Sequence, residues 1–271
     1  MIILFFGDIV GKPGRQAVAK ILPGLKKEIK PDLTVANIEN LAHGKGVTIS
    51  TVDELIKAGI DFFTSGNHIY DKPEYKAVLE RFGDKIIRPA NFAPDYPGDG
   101  FKIIKVKDQD VLFFNLLGQV FMEKQVDQSA IGNPFHSAND IISSAGDEVK
   151  IRILDFHAEA TSEMKAMGFF LDGRASAVLG THTHIPTADA QVLPGGTGYV
   201  TDIGMTGAAH SVIGVDKDMA IARLLDDPGR TKKTTIEPPD DCIEFETSYI
   251  VLEIDEHTGK CQNIDSVWKI V

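Results

Sequence analysis

Short apolar runs alternate with helical patterns along the first third of the chain, and this alternation restricts the fold more than any other feature. Residues 2–6 and 33–38 are apolar runs of strand length, and residues 15–29 between them repeat apolar side chains at helical spacing. A strand, a helix and a strand in this order form a parallel βαβ unit. In such sheets the functional side chains gather at the carboxyl ends of the strands.

Turn-forming residues and periodicity outline the remaining elements. Residues 11–14 hold two glycines and a proline and predict a turn, and Pro23 is expected to kink or shorten the helix that follows. Ser50 and Asp53 have the spacing of a capping box, which predicts a second helix over residues 50–58. The further predicted helices are 74–82, 137–148, 160–171 and 216–225, and the further predicted strands are 61–65, 85–88, 101–106, 111–117, 151–156, 175–179, 191–193, 198–201, 243–254 and 261–270.

Parallel units come first in the chain and antiparallel strands come later. This order predicts an α/β fold in which two mixed β-sheets pack face to face and are flanked by helices. No repeat, low-complexity tract or linker divides the sequence, so we expect a single domain over residues 1–271. Residues 226–241 are rich in Pro, Lys and Thr and are predicted to form an exposed loop.

The charge of the chain limits its partners. Its 271 residues carry a net charge of −11, with a pI near 5.2. An acidic surface argues against general binding to a nucleic-acid backbone, which needs clustered Lys and Arg, whereas a metal pair supplies local positive charge for a small phosphorylated substrate. No apolar run reaches the ~18 residues of a membrane span. We expect a cytoplasmic protein without a membrane partner, and a homo-oligomer is compatible with the sequence.

Carboxylate, amide and imidazole side chains follow several of the predicted strands. Their motifs are Gly7-Asp8, Asn37-Ile38-Glu39-Asn40, Gly66-Asn67-His68, Asp155-Phe156-His157 and Gly180-Thr181-His182-Thr183-His184. Taken singly, Asp8 suits a cap, Gly66-Asn67 suits a turn, and a lone His157 is most often structural. Their combination is much less expected by chance, because five strand ends each supply an oxygen or nitrogen ligand. Such ligands fit two borderline divalent ions, which clamp a phosphoryl group.

Individual side chains already suggest roles in such a site. The Glu39 carboxylate has two oxygens and is the best candidate to bridge two ions. His182 and His184 point to the same side only if their segment is extended. The two cysteines, Cys242 and Cys261, lie far from these motifs in sequence, which disfavours a thiolate site. The P-loop, G-x-S-x-G and H-E-x-x-H patterns are not fulfilled.

The order of the motifs resembles that of the calcineurin-like metallophosphoesterase superfamily, and more narrowly that of the YmdB-like bacterial metallophosphoesterase family. The resemblance covers nearly the whole chain, and its longest strings include Asn40-Leu41-Ala42-His43-Gly44-Lys45-Gly46, Gly66-Asn67-His68-Ile69-Tyr70-Asp71 and Asp155-Phe156-His157-Ala158-Glu159-Ala160-Thr161-Ser162-Glu163. It implies a four-layer α/β/β/α fold. It also implies hydrolysis of phosphodiesters, including cyclic nucleotides, with iron or manganese.

The resemblance further implies a role for each polar side chain. A first metal would be held by Asp8, Glu39, Asn40 and His184, and a second by Glu39, Asn67, His157 and His182. His68 would contact the phosphate and protonate or stabilise the leaving oxygen, and His43 is a second candidate for substrate binding. Two departures from the wider superfamily, Val10 in place of a histidine and Glu39 in place of an aspartate, are shared by the narrow family, and Asn40 is expected to compensate for Val10.

We therefore predict a dinuclear metal-dependent phosphodiesterase that hydrolyses small phosphodiesters, with 2′,3′- or 3′,5′-cyclic nucleotides as expected substrates, by attack of a metal-bridged hydroxide. The two divalent ions are expected to be iron, with manganese or zinc as alternatives. A phosphomonoesterase with the same site, and a metal-binding regulatory protein with little turnover, are alternative hypotheses. His210 and residues 226–241 fit the narrow family less well, and no role is assigned to them.

Overall fold

The computed structural model of the protein describes residues 1–225 and 242–271, so the loop predicted at 226–241 lies outside the described residues. The strands are β1 (Ile2–Ile9), β2 (Leu33–Asn37), β3 (Phe62–Thr64), β4 (Phe101–Val106), β5 (Gln109–Leu117), β6 (Ile151–His157), β7 (Ala177–Thr181), β8 (Gln191–Val192), β9 (Gly198–Val200), β10 (Met205–Ala208), β11 (Phe245–Ile254) and β12 (Cys261–Ile270). The α-helices are α1 (Gly11–Ile29), α2 (Ile49–Ala58), α3 (Tyr75–Phe82), α4 (Pro134–Ala145), α5 (Thr161–Phe170) and α6 (Lys217–Leu224). Among these helices none is both long and apolar enough to cross a membrane.

The strands form two six-stranded mixed sheets. The first has the order β12-β11-β10-β1-β2-β3: β10, β1, β2 and β3 run parallel, β11 pairs antiparallel with β10 and β1, and β12 pairs antiparallel with β11. The second has the order β4-β5-β6-β7-β9-β8, with a parallel centre and an antiparallel strand at each edge. The predicted parallel units and the two mixed sheets are therefore confirmed.

Three hydrophobic clusters separate the layers of the fold. Successive side chains of β1 point to opposite faces, so Ile3 and Phe5 join the cluster between the sheets, whereas Leu4 and Phe6 pack beneath the first three helices. A third cluster joins the outer face of the second sheet to α4 and α5. Each such fully buried side chain contributes about 1.5–3 kcal/mol. The layers follow the predicted order α/β/β/α.

The first helix begins earlier than predicted. Residues 11–14 are not a turn, because α1 starts at Gly11 and continues through Pro23 to Ile29. Pro13 lies in the first helical turn, where its missing N–H costs no helical hydrogen bond. Gly14 is needed for packing, since a Cβ there would lie 2.4 Å from the carbonyl oxygen of Thr206.

The start of the second helix also corrects the sequence prediction. The capping box is formed by Thr48 and Thr51, not by Ser50 and Asp53, and the helix begins at Ile49. Both pairs have the required spacing in the sequence. The structure selects the pair in which Thr48 has extended backbone geometry and its hydroxyl accepts from the Thr51 N–H.

One predicted strand did not form and one observed strand was not predicted, because the apolar pattern was too short to decide in both segments. Residues 85–88 make only an isolated bridge, between Phe63 and Ile86, instead of forming a strand. Conversely, β10 was not predicted, because its buried residues include a threonine and a glycine and show no clear alternation.

Candidate active site

The seven side chains predicted as metal ligands converge where the two sheets meet. The first sheet supplies Asp8, Glu39, Asn40 and Asn67, and the second supplies His157, His182 and His184. Most of them end a strand or follow it, as predicted for the carboxyl ends of parallel strands. Asp8 is the exception: it lies within β1, which runs to Ile9 instead of ending at Phe6.

In the first predicted set, Asn40 contacts each of the other three residues. The amide nitrogen of Asn40 lies 3.4 Å from Asp8 Oδ1, 3.1 Å from Glu39 Oε1 and 3.1 Å from His184 Nε2. Rotation of the amide by 180° places its oxygen at the same point, as binding of a cation would require. Val10 lines the cavity next to this set, and Asn40 occupies the position between Asp8 and His184.

The four residues of the second predicted set surround one imidazole nitrogen. His157 Nε2 lies 3.1 Å from Asn67 Oδ1, 3.3 Å from Glu39 Oε1 and 3.0 Å from His182 Nδ1. Glu39, His157 and His182 each offer one ligand atom, and these atoms lie within 4.8 Å of one another. Because Glu39 Oε1 contacts members of both sets, the geometry joins the two sets at this carboxylate.

Two observations test whether the residues of the cluster fit a cation. A Cβ on Gly66 would lie 2.3 Å from Glu39 Oε2 and 2.5 Å from His157 Nε2, so only glycine lets these ligands approach each other. Asn67 Nδ2 is buried without a hydrogen-bond partner among the residues described, while Oδ1 of the same amide faces His157. Carboxylate, amide and imidazole donors suit borderline divalent ions. The residues present therefore fit a divalent metal site.

The segment that carries His182 and His184 is bent after the end of β7 and is not extended. The φ angles of these histidines are 113° and 67°, and such backbone conformations cost about 1–3 kcal/mol each in non-glycine residues. The Asp202 carboxylate accepts hydrogen bonds from the Thr183 N–H and hydroxyl, both at 2.9 Å. The His182 N–H donates to Asp8 Oδ2 at 3.0 Å. These contacts hold the bend that brings both imidazoles into the cluster.

Partners outside the cluster determine which nitrogen of two histidines carries the proton. His184 Nδ1 lies 2.9 Å from the carbonyl oxygen of Ile213, and His182 Nε2 lies 3.1 Å from Glu159 Oε2. Because a carbonyl oxygen only accepts and an ionised carboxylate does likewise, each of these nitrogens donates. The other nitrogen of each ring, His184 Nε2 and His182 Nδ1, is then free to bind an ion, the usual arrangement around metal-bound histidines. Neither Glu159 nor the Ile213 carbonyl is among the site residues predicted from the sequence.

The two candidate substrate-binding histidines differ in their surroundings. The His68 N–H donates to Glu39 Oε2 at 2.8 Å, and its Nδ1 lies 2.8 Å from Asp71 Oδ2. Asp71 was not predicted as a partner, although it stands three residues after His68 within the same motif. His43 lines the same cavity on an exposed loop, with a φ of 58°, and its side chain makes no hydrogen bond to the described part of the chain.

Burial and opposite charges set the protonation of the cluster. Burial lowers the pKa of His182 to about 3, so this imidazole is neutral, which is the form that binds a metal. Burial also disfavours the charged form of His157, but the Glu39 carboxylate raises the pKa of this imidazole to about 9. Burial opposes ionisation of Glu39 as well, and His157 outweighs it and holds the pKa of Glu39 well below its usual range. The cluster therefore favours positive charge at its centre.

The cluster opens into a cavity of about 720 Å³, within the size range of small-molecule sites. Glu39, Asn40, His68, His182 and His184 line it together with the basic residues Lys45, Lys72 and Arg223. Three basic side chains thus line this cavity beside the carboxylates of Glu39 and Glu159, although the net charge of the chain is −11.

The family model described as YmdB-like protein matches residues 4–267. The chain belongs to the YmdB-like family. Over 269 residues it is 40% identical to the 2′,3′-cyclic-nucleotide 2′-phosphodiesterase of Bacillus subtilis (strain 168), covering 98% of this chain and 96% of that relative. The resemblance predicted from the motifs is confirmed, and this YmdB-like protein is a phosphoric ester hydrolase.

Two crystal structures share the fold of this YmdB-like protein. One is a hypothetical protein from Thermus thermophilus, with a TM-score of 0.87 and 36% identity, covering 100% of this chain and 99% of that one. The other is a novel phosphatase from Mycoplasma pneumoniae, with a TM-score of 0.88 and 29% identity, covering 100% of this chain and 93% of that one. The predicted two-sheet architecture agrees with both.

His210 and the two cysteines take no part in the site. His210 Nε2 lies 3.3 Å from Glu244 Oε2, and both side chains are solvent-exposed. Cys261 is buried in the core between the sheets, and Cys242 is also a free thiol. Neither cysteine belongs to the cluster of metal-ligand atoms found among the described residues.

Proposed function

We propose that this protein is a dinuclear metal-dependent phosphodiesterase that acts on cyclic nucleotides, with 2′,3′-cyclic nucleotides as the first candidates. The observation that carries the proposal is the position of Glu39 Oε1, within 3.3 Å of both Asn40 and His157 in two adjoining sets of ligand atoms. The name of the Bacillus subtilis relative supports the choice of substrate, because the two chains match over nearly their whole lengths.

Seven side chains would hold the two ions. Asp8, Glu39, Asn40 and His184 would bind one, and Glu39, Asn67, His157 and His182 the other. When bound, two such ions supply a water of lowered pKa and neutralise charge on the phosphoryl group. Iron, with manganese or zinc as alternatives, suits this mixture of oxygen and nitrogen ligands.

His68 is proposed to act on the leaving group. Because its Nδ1 is held by Asp71, Nε2 is the nitrogen available to contact the phosphate and to pass a proton to the departing ribose oxygen. Glu39 holds the backbone N–H of His68, which ties this residue to the ligand cluster. Lys45 and Lys72 add positive charge along the cavity for an anionic substrate.

A turnover panel tests the proposal directly. The purified protein is assayed on 2′,3′- and 3′,5′-cyclic nucleotides with Mn(II) or, under anaerobic conditions, Fe(II), and its metal content is measured by elemental analysis. We expect two ions per chain and release of a nucleoside monophosphate, fastest from the 2′,3′-cyclic substrates. A fully metal-loaded protein that leaves every cyclic nucleotide intact would contradict the proposal.

A phosphomonoesterase with the same site is the second candidate, because the Mycoplasma pneumoniae relative is described as a phosphatase. Bis-nitrophenyl phosphate, a diester, and nitrophenyl phosphate, a monoester, separate the two activities. We expect the diester to have the higher kcat/KM. The reverse order would favour the phosphomonoesterase.

A further inference from the structure

The buried side chains of Asp155 and Thr181 lie next to His157, on the side of its ring that faces away from the other proposed ligands. Asp155 and His157 are two residues apart in β6 and therefore share a face, and Thr181, the last residue of β7, pairs with His157 in parallel register. Thr181 Oγ1 lies 2.9 Å from His157 Nδ1 and 2.6 Å from Asp155 Oδ1. All three residues are at most 1% exposed, so water does not compete for these contacts.

The surroundings of Asp155 determine the direction of these hydrogen bonds. Asn37 Nδ2 donates to Asp155 Oδ2 at 3.0 Å, and the Thr64 hydroxyl donates to the same oxygen. Thr181 approaches the other oxygen, so three donors converge on the carboxylate and leave it only the role of acceptor.

A threonine hydroxyl has one hydrogen to donate. Since Thr181 gives that hydrogen to Asp155, its oxygen accepts from the His157 ring, and the proton of the neutral ring lies on Nδ1. When the ring loses its second proton, as metal binding requires, Nε2, which faces Glu39, Asn67 and His182, carries the lone pair. The opposite hydroxyl orientation would put the proton on Nε2, where it excludes a metal ion.

We propose that Thr181 and Asp155 are positioning residues that select the metal-binding tautomer of His157. This inference rests on the proposed function only in that the cluster must bind divalent ions. His182 and His184 have partners that only accept, whereas the partner of His157 both donates and accepts. His157 therefore needs a second residue, Asp155, to orient the hydroxyl that it contacts.

The test compares two buried threonine variants of the full chain. Thr181→Val removes the hydroxyl behind His157, and Thr34→Val is the matched control, because the buried Thr34 hydroxyl has no hydrogen-bond partner among the described residues. Zn(II) binding is measured by competition with a chelating dye. We expect Thr181→Val to weaken the binding of one Zn(II) ion about 10- to 100-fold, the usual effect of losing such a partner, and Thr34→Val to bind like the wild type.

Nitrogen NMR of the Zn(II)-loaded protein shows directly which nitrogen of His157 carries a proton, independently of activity. The wild type should show a slowly exchanging proton on His157 Nδ1, and Thr181→Val should lose this protection. Thr181→Ser keeps the hydroxyl and should restore both the affinity and the signal. Wild-type affinity and an unchanged signal in Thr181→Val would overturn the proposal, as would a serine variant as weak as the valine variant.

Asp155→Asn keeps the test decisive if Thr181→Val does not fold. The side-chain amide of this variant adds a donor where Asn37, Thr64 and Thr181 already donate, so it cannot accept all three hydrogen bonds. We therefore expect weaker Zn(II) binding in this variant as well, and wild-type binding would overturn the proposal. The positioning role and the proposed function can be refuted by different results. Wild-type protein that binds Zn(II) with the expected signal but hydrolyses no diester would refute the function and leave the tautomer assignment standing.

Discussion

At the scale of single residues, Glu39 and His68 have different tasks although they touch each other. Glu39 is 1% exposed and contacts both ligand sets through Oε1, while Oε2 accepts from the His68 backbone. The His68 ring turns instead toward Asp71 and lines the cavity. Substitutions at these two positions should therefore separate metal binding from turnover.

Removal of the shared carboxylate should abolish both properties. Glu39→Ala leaves three buried or partly buried imidazoles without their bridging negative charge, so we expect loss of both ions and of phosphodiesterase activity. Elemental analysis after purification in Mn(II) measures the first effect, and a cyclic-nucleotide assay measures the second. Retention of two ions by this variant would show that Glu39 is not the bridge.

Removal of the leaving-group histidine should spare the metal. We expect His68→Ala to keep two ions per chain and to lose about 10²- to 10⁴-fold in kcat, the range of a general acid. His136→Ala, an exposed histidine in α4, is the matched control and should keep wild-type kcat. Full activity of His68→Ala on a nucleotide diester would disprove its assigned role.

At the scale of elements, the site depends on how the chain leaves each strand. The sequence predicted that β2, β3, β6 and β7 deliver their polar residues to one edge, because apolar runs locate strands well. It did not specify the positive φ angles at His182 and His184, because such angles at histidine have no local sequence signal. The sequence also did not show that residue 66 must be glycine. A side chain is excluded there only because His157 and Glu39 approach this residue in the folded protein.

A methyl group at Gly66 should disrupt the site more than the fold. Its Cβ would overlap Glu39 Oε2 and His157 Nε2, so we expect Gly66→Ala to lose metal affinity and activity. Gly24→Ala is the control: it lies in α1 with nothing within 4 Å of the added Cβ, and we expect unchanged activity and about 0.4–1 kcal/mol of added stability. Metal titration and chemical denaturation of both variants check this prediction, which normal metal binding by Gly66→Ala would contradict.

At the scale of the whole molecule, the cluster connects the two sheets. Four of the proposed ligands come from the first sheet and three from the second, and the His182 N–H reaches Asp8 across the interface. An ion bound there would hold both sheets together and would bind only the folded chain. Metal binding should therefore be linked to global stability as well as to activity.

Metal addition should raise the melting temperature. At a free Mn(II) concentration 100 times the Kd, one bound ion stabilises the fold by about 2.7 kcal/mol, which corresponds to an increase in Tm of about 5–10 °C. Thermal unfolding of chelator-treated protein, with and without Mn(II), measures the shift. Thr34→Val should show the same increase and Glu39→Ala should show none. An equal Tm with and without metal in the wild type would argue against a site that links the sheets.

The sequence by itself determined the layered α/β architecture, the family and the seven side chains that meet at the sheet edge. These three features follow from local periodicity and from motifs of a few residues, and both can be recognised in a sequence without knowledge of the tertiary contacts. Only the tertiary structure decided which nitrogen of each histidine faces the cluster, because the partners Glu159, Asp71, Thr181 and the Ile213 carbonyl act through hydrogen bonds between folded segments. The pairing of β6 with β7 and the packing of the sheets create those contacts, and no local pattern in the chain specifies them.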